Sequence, residues 1–533
     1  MCRHLLAATI RRRHGAAVGL VRICIVAGVL FTGGCAGIGP HTWMSNGFKV
    51  GPNYCRPPAP VAEQWIGAED PRVVPGPPRD GDWWSVFQDS TLNALIARAY
   101  QQNPDLRVVG ARVLQARALQ AIAAGGIFPQ SQQLSGVYPH GEFAGISNHI
   151  NVTTFNLAWE VDFWGKYRRQ IESANAGLDS SVEDYDDALV TLFADVAANY
   201  VEYRVAQQRI KIAQANLQTQ QRLVTLAEQQ QRVGTAIELD VHQLRVLMEQ
   251  TASSIPALEI VRGLANDRLS ILLGEPPHEL ETELGPGPEL GALPMPVVPN
   301  SVAVGIPADL IRRRPDVRSI ERQVAAQSAQ IGVAEAELYP SLSVSALLGH
   351  ADLNLAPLAS NGGVSLVVPQ FSWKILNFGR LLNNVRLQEA RTQELVAAYQ
   401  SQVLVAAQEA QTSLRAFLRS QEQAEHLGKS AVAAQSATKI GEQLFTEVKA
   451  DVNRLFTLEN SQLQVQDQHA VAQGNIALSL IDLYRSLGGG WEVRLTDNGD
   501  GVLGTGDLPR ADGLPAAPGV EPIPLPKVQP DQP

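Results

Sequence analysis

The sequence predicts a mostly helical α+β protein built from two tandem copies of one structural unit. Residues 103–129 align with residues 314–340 without a gap, and both stretches carry a proline near each end. A second block, WEVDFWGK at 159–166, matches WKILNFGR at 373–380 over nearly the same distance along the chain. Blocks that keep register in this way indicate a duplicated supersecondary unit rather than the about three or four unrelated domains that the length alone would allow.

The helical part of each unit is predicted from the spacing of proline, glycine and apolar residues. Residues 166–232 contain no proline, and their apolar residues recur at three-four spacing, which is typical of a coiled-coil helix, here about 100 Å long. That apolar seam consists of Leu189, Leu192, Val196, Tyr203, Ala206, Ile210, Ala213, Leu217, Val224 and Ala227. A return helix over 236–273 is too short to retrace the outgoing helix. We therefore expect the helix of the next repeat, 308–338, to stack on it and complete the length.

Each unit is also expected to contain two strands. They lie within about 130–160 in the first unit and within about 341–373 in the second. Over 341–348 serines alternate with apolar residues, the period of a strand with one hydroxyl face and one apolar face. Such strands have about the ten residues that a tilted bilayer crossing needs. Aromatic residues gather at the strand ends, as in an interfacial girdle; they are Phe128, Trp159, Phe163, Trp164, Tyr339, Trp373 and Phe378. A soluble hairpin with these aromatics in its core is the alternative.

The same strands predict oligomerisation if they cross a membrane. After residue 35 the chain has no apolar run of about 18 residues, which a spanning helix would require. Strands in lipid must close into a barrel because open edges leave backbone groups without partners. The four transmembrane β-strands expected per chain are fewer than the roughly eight of the smallest barrels. Closure would therefore need several chains, and the Ala- and Gln-rich helix flanks suit lateral packing in a ring.

The N-terminus has the layout of a secretory signal. Arginines precede an apolar run over 23–31, which is followed by Thr-Gly-Gly-Cys, so residues 1–34 are predicted to be a signal peptide. The stretch before Cys35 resembles a bacterial lipobox, in which the cysteine becomes the lipidated first residue. An ordinary signal peptide that is cut nearby is the alternative. Residues 35–88 then form a lipidated, proline-rich extended segment that lies on the surface of a larger body.

The remaining boundaries follow from the repeat. The first unit spans 89–274 and the second 306–488, joined by a Pro/Gly-rich linker over 275–305. Residues 489–533 form a tail that we expect to be disordered. The net charge of −10, with no basic block beyond the N-terminus, argues against a nucleic-acid partner.

The sequence gives little sign of catalysis or of metal or cofactor binding. It has no His/Cys/Asp/Glu cluster with metal-ligand spacing, no glycine-rich loop before Lys-Ser or Lys-Thr, and no nucleophile elbow. The histidines are scattered, at His242, His278, His350, His426 and His469. We therefore expect neither an enzyme nor a cofactor.

Several stretches together resemble a known family. They are VGPNYCRPPAP at 50–60, WWSVFQDSTLNALIARAYQQNPDL at 83–106, RRRPDVRSIE at 312–321, the two strand-exit motifs and the Val-Gly-Thr turn at 233–235. Over roughly residues 50–490 the chain resembles the TolC/OprM-type outer-membrane factors, closest to their lipoprotein, NodT-like branch. The resemblance implies a homotrimer with a twelve-stranded β-barrel in the outer membrane and a twelve-helix periplasmic α-barrel. A belt formed by the termini and the 275–305 linker would surround the helices.

The resemblance also implies a function. Such a chain is the passive outer-membrane duct of a tripartite efflux pump, carrying small molecules such as drugs and toxic compounds. Its partners are a periplasmic adaptor and an inner-membrane transporter, with outer-membrane lipid around the strands. An outer duct for protein secretion shares this architecture. A lipid-anchored periplasmic coiled-coil scaffold, with its strands in a soluble domain, is an alternative from a different class.

The resemblance places the adaptor contacts at two helical turns, near 233–236 and 448–451. The expected docking residues are Val233, Gly234, Thr235, Lys449 and Ala450. Only the first turn contains a glycine, which is expected to supply a conformation that a side chain would strain. Simple turn chemistry is the alternative reason for that glycine.

Carboxylates beside the two turns are candidates for an entrance gate. They are Glu238, Asp240, Glu447 and Asp451. Around the axis of a trimer, inward-facing carboxylates would crowd like charges at a narrow entrance and favour cations. Asp451 is the first candidate because it lies at the turn where a closing helix pair would converge. Solvated helix faces are the alternative role for all four.

Overall fold

The computed structural model describes residues 40–74, 76, 81–137, 140–143, 146–285, 296–353, 362–447 and 451–495. Cys35, Lys449 and Ala450 lie outside these ranges. In chain order the helices are α1 (Pro40–Ser45), α2 (Ser90–Gln102), α3 (Pro104–Gly125), α4 (Lys166–Arg232), α5 (Glu238–Leu272), α6 (Glu281–Leu284), α7 (Leu310–Arg313), α8 (Pro315–Ala336), α9 (Arg380–Thr446) and α10 (Val452–Ser486). The strands are β1 (Val73–Val74), β2 (Ser131–Val137), β3 (His140–Phe143), β4 (Ile146–Val161), β5 (Val302–Ala303), β6 (Ser341–Leu353) and β7 (Gly362–Ser372). Short 3₁₀ helices cover Trp83–Phe87, Pro307–Asp309 and Trp491–Leu495.

Matching helices confirm the duplication that the sequence predicts. α3 and α8 each have 22 residues, α4 and α9 each have 67, and α5 and α10 each have 35. The two long helices also begin alike, because Gly165 and Gly379 precede them with the same φ of 81°. Glycine adopts this left-handed conformation without steric cost, so the corner from strand to helix is built the same way twice.

The helices form a layer in which two long helices alternate with two stacked pairs. α4 packs against α5, α3, α10 and α8, and α9 packs against α10 and α8. The contacts therefore give the order α5/α3, α4, α10/α8 and α9 across the layer. Leu189, Val196 and Tyr203 of the predicted seam are buried inside it. None of the described helices combines the length and the hydrophobicity that a bilayer crossing requires.

The stacked pairs are not the ones that the sequence predicts. Asn103, just before α3, donates its side-chain amide to the carbonyl of Leu272 at the end of α5 over 2.9 Å. α5 is therefore continued by α3 of the same unit. Arg314, just before α8, donates in the same way to the carbonyl of Ser486 at the end of α10 over 3.0 Å. The prediction that helix 308–338 continues helix 236–273 is therefore wrong.

The chemistry of helix ends explains these joints. The last carbonyls of a helix have no partners within the helix, and Asn103 and Arg314 supply side-chain donors for them. Both donors stand before a proline, which holds the preceding residue in an extended backbone; Arg314 has φ −69° and ψ 117°. That extended residue also splits the predicted helix 308–338 into a 3₁₀ turn, α7 and α8. Periodicity could not show which helix end each donor meets, because α3 and α8 begin with similar sequences.

The long strands form one antiparallel sheet in the order β2, β4, β6, β7. β3 also pairs with β4 and continues the register of β2, since Val137 pairs with Val152 and His140 pairs with His149. The pairing of β4 with β6 joins the two units. In a single chain, β2 and β7 are the outer strands of this sheet.

The N-terminal segment and the linker lie against the helix layer and against each other. β1 of the segment pairs in parallel with β5 of the linker. The aromatic residues of the 3₁₀ helix Trp83–Phe87 are buried, and Trp83 stacks on Tyr484 of α10 with 5.4 Å between ring centroids. Arg72 donates to the carbonyl of Leu418 on α9 over 3.0 Å. These contacts fasten the segment to the outside of the layer.

The prediction of a disordered tail over 489–533 is wrong for its first residues. Trp491–Leu495 forms a 3₁₀ helix. Its Arg494 donates to both carboxylate oxygens of the buried Asp186 on α4, over 2.7 and 2.8 Å. A buried carboxylate without a partner is strongly destabilising, so this contact holds the start of the tail in place. Residues 496–533 lie outside the described part of the chain.

Two glycines with nearly the same φ should respond differently to alanine. Gly274 closes the α5/α3 joint at φ 77°, and a Cβ there would lie 2.5 Å from the carbonyl oxygen of Gln102. Gly234 has φ 79°, but a Cβ there meets no described atom within 4 Å. Gly234→Ala should cost about 1 kcal/mol for the left-handed backbone alone. Gly274→Ala should cost about 2 kcal/mol more because of the clash.

Thermal unfolding of the two variants in the same detergent measures this difference. Gly274→Ala should lower the Tm well below that of Gly234→Ala. Equal Tm values would mean that the joint is not closely packed.

Candidate functional site

Aromatic rings gather where the strands meet the long helices. Trp43, in α1, lies 5.1 Å from Phe163 and 5.5 Å from Trp164, measured between ring centroids. Trp164 in turn stacks on Tyr339 at 4.5 Å and donates its indole N–H to the carbonyl of Pro340 over 2.8 Å. These rings therefore lock the start of the described chain to the strand ends of both units.

Two further tryptophans occupy equivalent places in the two units. Trp159 donates its indole N–H to the carbonyl of Ile127 over 2.9 Å, and Trp373 donates to the carbonyl of Leu338 over 3.0 Å. Each hydrogen bond ties the end of a strand to the end of a 22-residue helix, which is α3 in the first unit and α8 in the second. Other aromatics of the predicted girdle point outward, and the side chain of Phe378 is 97% exposed in the single chain.

The sheet has one apolar face and one polar face. Leu134, Phe155 and Leu348 are paired across β2, β4 and β6, and residues paired directly across strands share a face. On the same face, Leu342 of β6 pairs with Phe371 of β7. All five side chains are exposed in the single chain, Phe371 by 75% and Leu134 by 74%. An apolar surface of this kind on a sheet indicates a binding surface or a lipid contact.

The opposite face carries hydroxyl and amide groups over much of the sheet, and the apolar pair Leu347 and Leu366 also lies on it. Gln133 pairs with Asn156, and Ser135 pairs with Thr154. Ser343 of β6 extends this polar surface, as the alternation over 341–348 predicts. The two faces therefore differ in polarity as the wall between lipid and water would require.

At the other end of the layer, the turn after α4 has a closed hydrogen-bond pattern. The N–H of Thr235 donates to the carbonyl of Gln230 over 2.9 Å, and the N–H of Gly234 donates to the carbonyl of Gln231 over 3.0 Å. This is the Schellman motif, which requires a left-handed residue after the helix. The turn thus needs Gly234 for its backbone geometry, as the sequence predicts.

Apolar side chains surround this turn and point into solvent. Val233 is 74% exposed, and Ile237 and Leu239 are also exposed. Val233 is among the docking residues that the sequence predicts, whereas Ile237 and Leu239 are not. The sequence positions of Ile237 and Leu239 do predict their exposure, because apolar residues that flank a glycine turn between two polar helix ends have no core to fill.

The candidate gate carboxylates have different surroundings. Asp240 accepts a hydrogen bond from the N–H of Ile237 over 3.1 Å and so caps the start of α5. The carboxylate of Glu238 lies 3.5 Å from the imidazole of His242. Asp451 is exposed and accepts from the side chain of Asn453 over 3.2 Å. Asp240 therefore has a structural role as a helix cap, which is not among the roles that the sequence predicts for it.

The two turns lie close together. Gln230 of the first hairpin, α4–α5, donates to the carbonyl of Phe445 in the second hairpin, α9–α10, over 3.2 Å. An apolar cluster behind them joins all four helices; it contains Leu223, Val224, Ala227, Val241, Leu244, Phe445, Val452 and Leu455. Glu238 and Asp240 on one hairpin therefore lie at the same end of the molecule as Glu447 and Asp451 on the other.

Charged groups also line a cavity of about 440 Å³ at the α10/α8 joint. Arg314 is ion-paired there with Asp316 and with Glu409, both over 2.7 Å. Asp187 faces the same cavity, and burial raises the pKa of its carboxyl to about 6, with a further contribution from the charge of Asp316. Among the described residues, no group of three or more His, Cys, Asp or Glu side chains could hold a metal ion.

Comparison with known proteins agrees with this architecture. Residues 95–275 and 306–489 match the family model described as outer membrane efflux protein. The chain is 30% identical over 437 residues to nodulation protein T of Rhizobium leguminosarum bv. viciae, covering 81% of this chain and 87% of that protein. It is 29% identical over 430 residues to the pyoverdine export outer membrane protein OpmQ of Pseudomonas putida, covering 78% and 89%.

A solved structure supports membership of the same family. The outer-membrane channel OprN superposes on this chain with a TM-score of 0.75 at 31% identity, covering 83% of this chain and 99% of that one. The chain therefore belongs to the outer membrane efflux protein family, in the branch that includes nodulation protein T.

Proposed function

We propose that this chain is the outer-membrane channel of a tripartite efflux pump and conducts small molecules passively to the outside. The observation that carries the proposal is the two-faced sheet, apolar on one side and polar on the other, which continues directly into helices of 67 residues. At about 1.5 Å per residue, each helix is roughly 100 Å long. Such a body reaches from a membrane far into an adjoining aqueous compartment. The relatives named for export and efflux support the same function.

The open edges of one chain support assembly with further copies, and we propose a trimer. β2 and β7 have no neighbour on their outer sides within the described sheet, and strands in lipid tolerate no open edge. Three sheets of four long strands would close into a twelve-stranded barrel. Three helix layers, each four positions wide, would likewise close into a twelve-helix tunnel. Exposed apolar side chains on both flanks of the layer support this closure; they include Leu119 and Ile122 on α3 and Leu382, Leu387 and Leu404 on α9.

The helical turns are proposed to dock a periplasmic adaptor, which links the channel to an inner-membrane transporter. Val233, Ile237 and Leu239 form an exposed apolar surface at the first turn. Gly234 and Thr235 complete it, and Lys449 and Ala450 would contribute at the second turn. An apolar surface at the far end of a long helical hairpin has no use in the fold of this chain, so a partner is its simplest explanation.

A lipid-anchored soluble scaffold fits less well. Its strands would have to cover their apolar face with another part of the chain. In the described structure, Leu134, Leu348 and Phe371 remain exposed on that face. Lipid contact accounts for this exposure, whereas a soluble domain does not.

The trimer can be tested by the mass of the particle. In mild detergent, multi-angle light scattering should give three copies per particle. Ile122→Arg should prevent assembly, because it would bury an unpaired charge between chains at a cost of about 3 kcal/mol or more per contact. Val233→Asp, a similar change at an exposed turn residue, should leave the trimer intact. A wild-type particle of one or two copies would contradict the proposal.

Docking and gating can be separated with two substitutions. Val233→Asp should reduce adaptor crosslinking and drug export at least about tenfold, with unchanged single-channel conductance in planar bilayers. Asp451→Asn should keep the crosslink but lower the preference for cations, because it removes one charge per chain at the entrance. Normal export by Val233→Asp would mean that the turn is not a docking surface. Unchanged ion selectivity in Asp451→Asn would remove that residue from the gate.

Lipidation of Cys35 is also proposed. The chain between Cys35 and Pro40 can span at most about 18 Å, and Trp43 packs against the rings at the strand ends. An acyl chain on Cys35 would therefore lie near the membrane surface. Mass spectrometry of the mature protein should show acyl mass that Cys35→Ser loses and that Cys55→Ser, a change at an exposed cysteine, retains. Acyl mass on Cys35→Ser would disprove this attachment.

A further inference from the structure

A carboxyl group is sealed inside the helix layer just above the turns. Glu459, two helical turns into α10, is 0% exposed. Neither of its carboxylate oxygens has a hydrogen-bond partner among the described residues. Buried polar groups are nearly always paired, so an unpaired one calls for a physical explanation.

A second unpaired polar group lies at the same level on α4. Gln220 is 1% exposed, and neither its amide nitrogen nor its amide oxygen has a partner in the described structure. One helical turn earlier, Asn216 donates to Gln466 over 2.9 Å, and Gln462 donates to Asn216 over 3.4 Å. Because α4 and α10 run antiparallel, these bonds place Gln220 opposite Glu459.

The surroundings exclude water. α9 and α10 approach closely here, since a Cβ on Gly441 would lie 2.7 Å from Cδ1 of Leu458. Thr438 of α9 is also buried and donates to the carbonyl of Leu458 over 3.2 Å. Towards the turns the site is closed by the apolar cluster that contains Phe445 and Leu455.

Glu442 of α9 is the charged group that acts on Glu459. From α4, the neutral amides of Gln220 and Asn216 face this level. The nearest ion pair between α4 and α10 joins Arg209 to Asp467, and Asp467 lies about two helical turns beyond Glu459, away from the hairpin ends. Burial, together with contact with Glu442 and its charge, raises the pKa of Glu459 from 4.5 to about 8. Two ionised carboxylates are both acceptors and cannot satisfy each other. With a proton on Glu459, the pair can form one hydrogen bond.

We propose that Glu459, Glu442 and Gln220 form a proton-binding latch that holds the second hairpin, α9–α10, against α4, and that loss of the proton favours release of the hairpin. The proposal rests on the proposed channel function, in which the two turns close the periplasmic entrance. The latch lies directly behind the contact between Gln230 and Phe445 that joins the turns. Ionisation of Glu459 would place a negative charge at a fully buried position beside the half-exposed Glu442, and separation of the hairpin from α4 would let water reach Glu459.

The direction of the pH effect follows from proton linkage. In the closed packing Glu459 keeps its proton up to a pKa of about 8, whereas in a hydrated, released hairpin it would titrate near 4.5. The closed packing therefore has its full advantage below pH 4.5 and loses it as the pH rises to about 8. One proton is released on opening, so the open fraction can rise up to about tenfold per pH unit within this window.

The protonated carboxyl can be observed directly in the purified full-length trimer. An infrared difference spectrum between pH 6 and pH 9.5 should contain the C=O band of a neutral carboxylic acid that is lost at high pH. Burial raises the pKa of Asp187 to about 6 and that of Glu183 to about 7, so both carboxyls contribute to the same band. Glu459→Gln, a neutral side chain of the same shape, should remove the part of the band that Glu459 contributes. Glu249→Gln, at an exposed carboxylate on α5, should leave it unchanged. A band of the same intensity in Glu459→Gln and in the wild type, or no band in the wild type, would overturn the latch.

Conductance tests the coupling to opening. In planar bilayers the open probability of the wild type should rise at least about tenfold between pH 5.5 and 8, whereas that of Glu459→Gln should change less than about twofold. Glu442→Gln should shift the response to lower pH by about one unit, since it removes the neighbouring charge. A wild-type pH response that persists in Glu459→Gln would overturn the coupling. Failure of every variant and of the wild type to conduct would contradict the channel function instead, while the infrared band still decides whether Glu459 holds a proton.

Discussion

The end-to-end joint between two stacked helices is the contact on which the rest of the structure depends. No described helix other than its repeat equivalent matches the 67 residues of α4, so each side of α4 is covered by two shorter helices with facing ends. Those ends carry backbone groups without partners inside the helix. Asn103 and Arg314 satisfy the carbonyls of Leu272 and Ser486, so that the long helices run unbroken from the strands to the turns.

The polarity of the side chains differs between the sheet, the helical layer and the turns. The sheet turns an apolar surface outward, and the turns expose apolar side chains at the opposite end. Between them, buried charges are paired across elements that are distant in sequence, as in Asp186 with Arg494. Glu459 differs, because neither of its carboxylate oxygens has a hydrogen-bond partner in the described part of the chain, and we propose that its buried carboxyl makes the packing beside the turns sensitive to protons. A titratable contact of this kind lets the packing change its state without a catalytic group.

Local patterns in the sequence predict the elements but not all of their neighbours. The seam of α4 and the glycine after it depend on residues close in sequence, so periodicity and turn chemistry gave the bounds Lys166–Arg232 and the role of Gly234. The partner of Arg314 could not be found in this way, because its acceptor is 172 residues away. The same holds for Glu459, which in the sequence looks like any solvated glutamate on a polar helix. Its burial arises only when α4, α9 and α10 meet.

In the proposed trimer, the outer strands of the sheet limit the order in which copies of the chain can assemble. Until other copies arrive, β2 and β7 each present a row of unpaired backbone donors and acceptors, a template on which strands of foreign chains can add. The helices satisfy their own backbone bonds and carry no such hazard. In the proposed trimer, this hazard is smallest if the helical parts of the copies meet first, in water, and the sheets enter lipid only when every strand edge is paired. A chain that reached the bilayer alone would be a substrate for aggregation or for quality-control proteases.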